Sequence, residues 1–233
     1  MGLSSFVAKE PRALPVFILA DASYSMHGAK INELNLALRD MITSFQNVDD
    51  IRGKFQVSVI TFGGTAQINL PLTDVEKVHL SELAASGNTP MGAAFDIVRS
   101  QIEDRNIVSS KAYTPTIVLV SDGIPTDCDE DIWKNGNYTD WEPLVALQNS
   151  ERCRKCQRLA LGIGDDADVN MLKAFVADKE IPVIRTKEGA ARGITKFFKW
   201  VTMSTIARMN SVNPNLIQPA GVLFDLDDED III

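Results

Sequence analysis

The stretch FILADASYSMHG, residues 17–28, joins an apolar run to a polar loop. Val16–Ala20 is a short uninterrupted apolar segment, which is typical of a strand buried on both faces. The segment ends at the carboxylate of Asp21, and two hydroxyls follow at alternate positions, Ser23 and Ser25. We therefore expect a central strand that presents oxygen-bearing side chains where it stops.

Strand-like and helix-like segments alternate along the rest of the chain. Short apolar or β-branched runs predict six strands, at residues 16–20, 55–62, 66–72, 115–120, 158–164 and 181–185. Helical spacing predicts helices at residues 30–45, 91–102, 141–156, 169–176 and 190–209, a partly helical segment at 74–85 and a loop at 127–140. The alternation favours an α/β fold with a mostly parallel six-stranded sheet and helices on both faces. Gly63-Gly64 predicts a turn, so the strand at 66–72 is expected to be the one antiparallel edge strand.

The composition is that of an ordinary globular protein, with 45% hydrophobic and 23% charged residues among 233. We interpret the three cysteines (Cys128, Cys153 and Cys156) as reduced structural thiols, with a redox or metal role for the CxxC pair as the alternative. No apolar run approaches the ~18 residues of a membrane helix, and no signal-like segment is recognisable at the start. We therefore expect a cytoplasmic protein without membrane contact.

Negative charge is concentrated near the C-terminus. The formal net charge is −8, and five of the 31 acidic residues lie at positions 225–230. The rest of the chain is close to neutral, so neither part offers the basic face that nucleic-acid binding needs. We divide the chain into a lead-in at residues 1–12, one domain at 13–210 and an acidic C-terminal extension at 211–233.

Three loops are expected to bring oxygen donors to one edge of the sheet. In open α/β sheets, ligands bind beyond the carboxyl ends of the strands, where strand order reverses. The candidate ligands are Asp21, Ser23, Ser25, Thr89 and Asp122. Two carboxylates and three hydroxyls are hard oxygen donors, which suit Mg²⁺ or Mn²⁺. If the hydroxyls bind the ion directly and the carboxylates act through water, little negative charge lies next to the ion. Such a site keeps affinity for one further anionic oxygen.

These motifs resemble the von Willebrand factor A (vWA) domain. Asp21-x-Ser23-x-Ser25 after a strand, Thr89-Pro90 before a helix and Ser121-Asp122-Gly123 after another strand match its metal ion-dependent adhesion site in position and order. The resemblance covers roughly residues 13–209. GNTPMGAAF (87–95) and DGIPTD (122–127) are most similar to bacterial intracellular members, including those of tellurite-resistance and stress operons. Tyr24 departs from the family, which most often has glycine at that position.

The resemblance implies a Rossmann-like, doubly wound fold and metal-dependent protein binding without catalysis. It implies Mg²⁺, with Mn²⁺ or Ca²⁺ as alternatives, and a partner carboxylate from Asp or Glu that completes the coordination. The implied direct ligands are Ser23, Ser25 and Thr89, whereas Asp21 and Asp122 act mainly through water. The implied partners are kinase-like or phosphatase-like operon neighbours in a tellurite-resistance, stress or conflict response. The candidates for partner contact are Tyr24, Met26, Gly123 and Asp127.

Other interpretations stay open. Taken singly, Asp21 suits a helix N-cap and Asp122-Gly123 suits a turn. The alternative function is a Mg²⁺-dependent phosphohydrolase that uses the same cluster, although a haloacid dehalogenase-type phosphatase wants a second aspartate where Ser23 stands. Residues 162–167 fit the nucleotide fingerprint GxGxxA, but two aspartates within them would repel a pyrophosphate. A further alternative is a structural subunit that binds no ion.

The C-terminal extension permits three interpretations. The simplest is a solvated end. Alternatively, GVLF (221–224) or DIII (230–233) adds a strand to an exposed sheet edge. In the third interpretation a tail aspartate reaches the metal of the same or a neighbouring molecule, which predicts self-association through the tail.

Overall fold

Strands and helices alternate through most of the chain, as the sequence predicts. The computed structural model describes residues 11–48, 53–187, 191–215 and 231–232. The strands are β1 (Arg12–Asp21), β2 (Gly53–Gly63), β3 (Thr65–Asp74), β4 (Thr116–Ser121), β5 (Gln157–Ile163), β6 (Ile184–Thr186) and β7 (Ile231–Ile232). The helices are α1 (Ala29–Gln46), α2 (Met91–Glu103), α3 (Glu130–Asn135), α4 (Glu142–Asn149), α5 (Val169–Val176) and α6 (Arg192–Asn210).

The strands form one sheet with the order β3-β2-β1-β4-β5-β6-β7. β1 pairs in parallel with β2 on one side and with β4 on the other, so strand order reverses at β1. β3 is antiparallel to β2 and forms one edge. The predicted mostly parallel six-stranded sheet with an antiparallel edge strand is confirmed. It places the carboxyl ends of β1 and β4 side by side, at the position where α/β sheets bind ligands.

The C-terminal extension contributes a seventh strand. β7 pairs antiparallel with β6, with Ile231 opposite Thr186 and Ile232 opposite Arg185. This pairing agrees with the interpretation in which the end of the chain adds a strand to a sheet edge. The acidic residues at 225–230, and the self-association predicted for them, lie outside the described residues.

Four segments differ from the sequence expectation. The helix predicted at 141–156 ends at Asn149, and the strand predicted at 181–185 is the shorter Ile184–Thr186. Residues 74–85 are helical only in the single 3-10 turn Val75–Lys77. The side chain of Asn35 on α1 bonds both backbone groups of Leu83, at 2.8 and 3.0 Å, so this loop satisfies its backbone without forming a helix. Residues 127–140, expected to be a loop, contain α3, which begins with two acids and ends at Gly136 in the left-handed conformation. Both features stabilise a short helix.

Helices cover the strands so that the central strand is buried on both faces. β1 is buried at every position from Leu14 to Asp21, which explains its unbroken apolar sequence. α1 and α6 pack against each other, as do α2 and α4, and α5 packs on β5. Within the described part of the chain, no helix combines the length and apolar character that crossing a bilayer requires.

Backbone hydrogen bonds fasten the neighbouring loops to the end of β1. The N–H of Ala22 donates to Phe62 O at 3.0 Å, and the Ala22 carbonyl accepts from Ser86 N–H at 2.7 Å. The N–H of Tyr24 donates to Gly87 O at 2.9 Å. The loop before α2, which carries Thr89, is therefore bonded directly to the loop that carries the two serines.

Glycines allow these loops to approach closely. A Cβ on Gly63 would lie 2.0 Å from the carbonyl oxygen of Ala22, and a Cβ on Gly87 would lie 2.4 Å from the Cα of Gly64. Gly64 also donates its N–H to Asn88 O at 2.8 Å. Because the contacts are with backbone atoms, no side chain can turn aside to make room, and the turn at 63–64 and the loop at 86–88 depend on these small residues.

We expect Gly87→Ala to displace the loop before α2. The new Cβ would meet backbone at 2.4 Å, in a residue whose φ is +70°. The free energy of unfolding should fall by about 2–3 kcal/mol, because a backbone clash adds to the cost of the left-handed conformation. Chemical denaturation with urea measures this loss.

Gly64→Ala is the matched control. Gly64 has the same φ of +70°, but the nearest atom to its Cβ would lie 3.7 Å away, an ordinary contact. The free energy of unfolding of this variant should therefore fall by only about 1 kcal/mol, the cost of the left-handed conformation. Equal losses in the two variants would show that the close approach of the loops does not matter.

Candidate metal centre

The loops after β1 and β4 place two hydroxyls and a carboxylate in a hydrogen-bonded row. Ser23 Oγ lies 3.0 Å from Ser25 Oγ, and Ser25 Oγ donates to Asp122 Oδ1 at 2.7 Å. Ser23 and Asp122 are buried, whereas Ser25 is exposed. The structure therefore brings these three candidate ligands together, with Ser25 on the side that faces solvent.

Asp21 joins the ends of the two central strands. Its Oδ1 accepts from the backbone N–H of Ser23 at 2.8 Å, and its Oδ2 accepts from the hydroxyl of Ser121 at 2.6 Å. Burial raises the pKa of the Asp21 carboxyl to about 6, although the hydrogen bonds from Ser121 and Ser23 act in the opposite direction. Both oxygens thus support the loops, which fits an indirect role toward an ion better than direct coordination.

Thr89 reaches the same edge of the sheet from the loop before α2. Its N–H donates to Thr126 Oγ1 at 3.1 Å, and its carbonyl accepts from the N–H of Thr126 at 2.9 Å. The Thr89 side chain is buried, and its Oγ1 lies 4.0 Å from the ideal Cβ position of Gly123. The Thr89 hydroxyl is therefore next to the residue that follows Asp122.

Sequence reasoning missed a lysine that contacts the site. Lys30 Nζ lies 2.6 Å from Asp122 Oδ2, while the other carboxylate oxygen accepts from Ser25. The side chain of Asp122 is 0% exposed and that of Lys30 is 29% exposed. One signal was available in the sequence: Lys30 stands in the first turn of a predicted helix, where a cation opposes the helix dipole unless an acid lies nearby.

Sequence reasoning also missed Ser121 and Thr126 as supporting residues. Ser121 Oγ donates to Asp21 and accepts from the N–H of Gly123 at 3.2 Å. Its partner follows from strand register, because Ala20 pairs with Val120 and the next residues are therefore neighbours. That register joins positions 100 residues apart, which sequence periodicity does not specify.

Two candidates for partner contact differ sharply in exposure. Tyr24 is 73% exposed, and its ring stacks on His27 with 6.1 Å between the ring centroids. Met26 is fully buried in the core, so it offers a partner no surface. Met26 belongs to the hydrophobic core, so its role in the structure is packing.

The other two candidates for partner contact, Gly123 and Asp127, lie beside the site. Gly123 is partly exposed. The carboxylate of Asp127 accepts from the backbone N–H groups of Gly92 at 3.1 Å and Ala93 at 2.9 Å, at the beginning of α2. Asp127 therefore caps the helix that follows Thr89 and stabilises its first turn.

The donor set fits a small divalent ion. Ligands of Mg²⁺ lie at ~2.0–2.1 Å, so two adjacent ligands in an octahedron are about 2.9 Å apart. The two serine hydroxyl oxygens are 3.0 Å apart, close to that separation. Over residues 11–48, 53–187, 191–215 and 231–232, no group of three or more His, Cys, Asp or Glu side chains is placed to hold a metal. An ion held at this site would need the hydroxyls as ligands.

Comparison with known proteins connects this geometry to a family. The family model of the von Willebrand factor type A domain matches residues 16–124, a range that contains all five candidate ligands. Among curated proteins, none matches the sequence.

Solved structures share the fold at low sequence identity. The ArnB paralog VWA2 from Sulfolobus acidocaldarius is 17% identical, with a TM-score of 0.59, and the match covers 82% of this chain and 46% of that one. The proximal thread matrix protein 1 from the mussel byssus, with a zinc-occupied metal ion-dependent adhesion site, is 19% identical, with a TM-score of 0.56 and coverage of 83% and 45%. The manganese-loaded TRAP protein of Plasmodium vivax is 20% identical, with a TM-score of 0.55 and coverage of 80% and 73%.

The chain spans about half the length of the first structures it matches. At these identities the structural likeness establishes the fold alone. The chain therefore shares the Rossmann-like fold of these structures, and its residues 16–124 are similar to the von Willebrand factor type A domain.

Proposed function

We propose that this protein is a metal-dependent protein-binding module. The observation that supports the proposal is the hydrogen-bonded row of Ser23, Ser25 and Asp122 at the reversal of strand order. In this proposal a divalent ion, Mg²⁺ or Mn²⁺, is held by the hydroxyls of Ser23, Ser25 and Thr89. In the same proposal, Asp21 and Asp122 act on the ion mainly through water.

The chemistry of the donors favours an acidic partner group. When bound, the ion supplies a positive centre that attracts an anionic oxygen. Neutral hydroxyls cancel little of its charge, so an Asp or Glu carboxylate of another protein is a suitable further ligand. Access is from the side of Ser25, which is exposed, beside the exposed ring of Tyr24. Tyr24 then supplies apolar contact area next to the ion.

A phosphohydrolase that uses the same cluster is the second candidate, and the geometry favours it less. Such an enzyme needs a base or nucleophile that is positioned toward the substrate beside the ion, rather than one engaged in holding the loops. Both oxygens of Asp21 accept hydrogen bonds, and Asp122 is bonded to Ser25 and Lys30. Asp127 caps α2 through both of its oxygens. We therefore propose a protein that binds without catalysing a reaction.

The pathway and the partners are proposed from the resemblance of two motifs. Residues 87–95 and 122–127 resemble bacterial members from tellurite-resistance and stress operons. On that basis we propose kinase-like or phosphatase-like operon neighbours as partners of a cytoplasmic adaptor.

We expect Asp21→Asn to raise the stability of the protein and to lower its affinity for metal. Asn is neutral and can retain contacts to Ser23 and Ser121, so it avoids the cost of burying a carboxylate whose pKa is raised to about 6. At pH 8 and with a chelator present, the free energy of unfolding should rise by about 1–2 kcal/mol. Affinity for Mn²⁺, measured by calorimetry, should fall at least about tenfold.

The pH dependence provides the control for this variant. Because the pKa of Asp21 is raised to about 6 in the folded protein, its ionisation lowers stability fully above about pH 6, and this cost disappears below the ordinary aspartate pKa of 3.8. The stability advantage of Asn should therefore shrink as the pH falls through this window. An advantage that is constant with pH would contradict the assignment of the cost to Asp21.

Partner capture from cell extracts tests the proposed function. The wild-type protein should retain a set of proteins with Mg²⁺ and lose them with chelator, whereas Ser25→Ala should not retain them in either condition. Ser44→Ala is the matched control, because Ser44 is an exposed serine whose hydroxyl donates to Asp40 O within α1, away from the site. It should behave as wild type.

Two results would contradict the proposal. The first is an identical set of captured proteins with and without chelator. The second is Mg²⁺- or Mn²⁺-dependent turnover of phosphate esters that disappears in Asp21→Ala, which would support the phosphohydrolase instead.

A further inference from the structure

Lys30 forms a salt bridge with one of the two oxygens of the Asp122 carboxylate. Its ammonium lies 2.6 Å from Oδ2, while Oδ1 accepts from the hydroxyl of Ser25 at 2.7 Å. Asp122 is also a candidate ligand of the ion. A cation that belongs to the protein therefore contacts the same acidic group that a metal ion would use.

The position of Lys30 on its helix is electrostatically poor without this partner. Lys30 is the second residue of α1, which begins at Ala29, and the first turn of a helix carries partial positive charge. The ion pair with Asp122 offsets that repulsion. It also supplies a counter-charge to a carboxylate whose side chain is fully buried, beside a second buried carboxylate at Asp21.

The side chain of Lys30 can leave this contact. It is 29% exposed, in contrast to the 0% of Asp122, so its flexible stem already borders solvent. An ammonium group is strongly hydrated and stable in water, whereas the Asp122 carboxylate stays buried by β4 and its loop. Exchange of the cation at Asp122 therefore requires movement of one exposed side chain and none of the strands.

We propose that Lys30 is a built-in counter-ion that competes with the divalent ion for Asp122. The inference rests on the proposed metal-binding function. Binding of the ion displaces the ammonium from Oδ2 or suffers its repulsion, so the affinity is lower than the oxygen donors alone would give. Lys30 thereby stabilises the protein without metal and sets the metal concentration at which the site fills.

Lys30→Met tests this role by two measurements on the full chain. Titration calorimetry should show Mn²⁺ affinity that is higher by about tenfold or more, because a positive charge next to the site is removed. In the presence of a chelator, the midpoint of thermal unfolding should fall by about 5 °C or more, because a buried carboxylate loses its partner. Lys30→Gln keeps a hydrogen-bond donor without charge, so it should show the same gain in affinity with a smaller loss of stability.

Lys54→Met is the matched control. Lys54 pairs with Asp74 at 2.9 Å, at the opposite end of the sheet from the site, and the substitution changes net charge equally. It should leave Mn²⁺ affinity unchanged. Lys30→Arg retains the charge and should keep the low affinity of the wild type.

The outcomes separate this inference from the proposed function. One outcome overturns only the competition: the wild type binds Mn²⁺, but Lys30→Met and Lys30→Gln bind it with equal or lower affinity. Metal binding itself would then stand. Equal gains in Lys30→Met and Lys54→Met also overturn it, since the effect would then be one of net charge. If neither the wild type nor any Lys30 variant binds Mn²⁺, the proposed function fails and the inference falls with it.

Discussion

The hydrogen bond from Ser121 to Asp21 joins β1 to β4 at the one place where strand order reverses. The rest of the site depends on it. The same carboxylate fixes the loop of Ser23 through its backbone N–H, and that loop bonds to the loop before α2 through Tyr24 and Gly87. Three segments far apart in sequence are therefore held against each other by contacts that begin at one buried acid.

This arrangement costs stability. Asp21 and Asp122 are both buried, and burial of a carboxylate disfavours its charged form. A fold selected for stability alone would place neutral or apolar residues at these positions. Hydrogen bonds from Ser121 and Ser23 offset part of the cost at Asp21, and the ammonium of Lys30 does so at Asp122. Such costly groups gathered at a ligand-binding edge are typical of a functional site.

Much of the fold follows from the sequence because its signals are local. The apolar run before Asp21 predicts a strand buried on both faces, and Gly63-Gly64 predicts the turn to the antiparallel edge strand. What could not be predicted depends on contacts between distant residues. The loop at 78–85 avoids helix because Asn35 on α1 bonds the backbone of Leu83.

In the candidate site, too, local features could be predicted and contacts between distant residues could not. The spacing of its donors is local and could be read from the sequence. The salt bridge of Lys30 and the burial of Met26 depend on how the β1 loop and α1 pack against β4 and the core. Neither could be found from periodicity.

Anomalous X-ray diffraction from crystals soaked in Mn²⁺ tests the central claim most directly. The account predicts one anomalous peak within coordination distance of the hydroxyl oxygens of Ser23 and Ser25, and no such peak in crystals of Ser25→Ala. Wild-type crystals without a peak at these hydroxyls, or with the ion bound elsewhere in the chain, would contradict it.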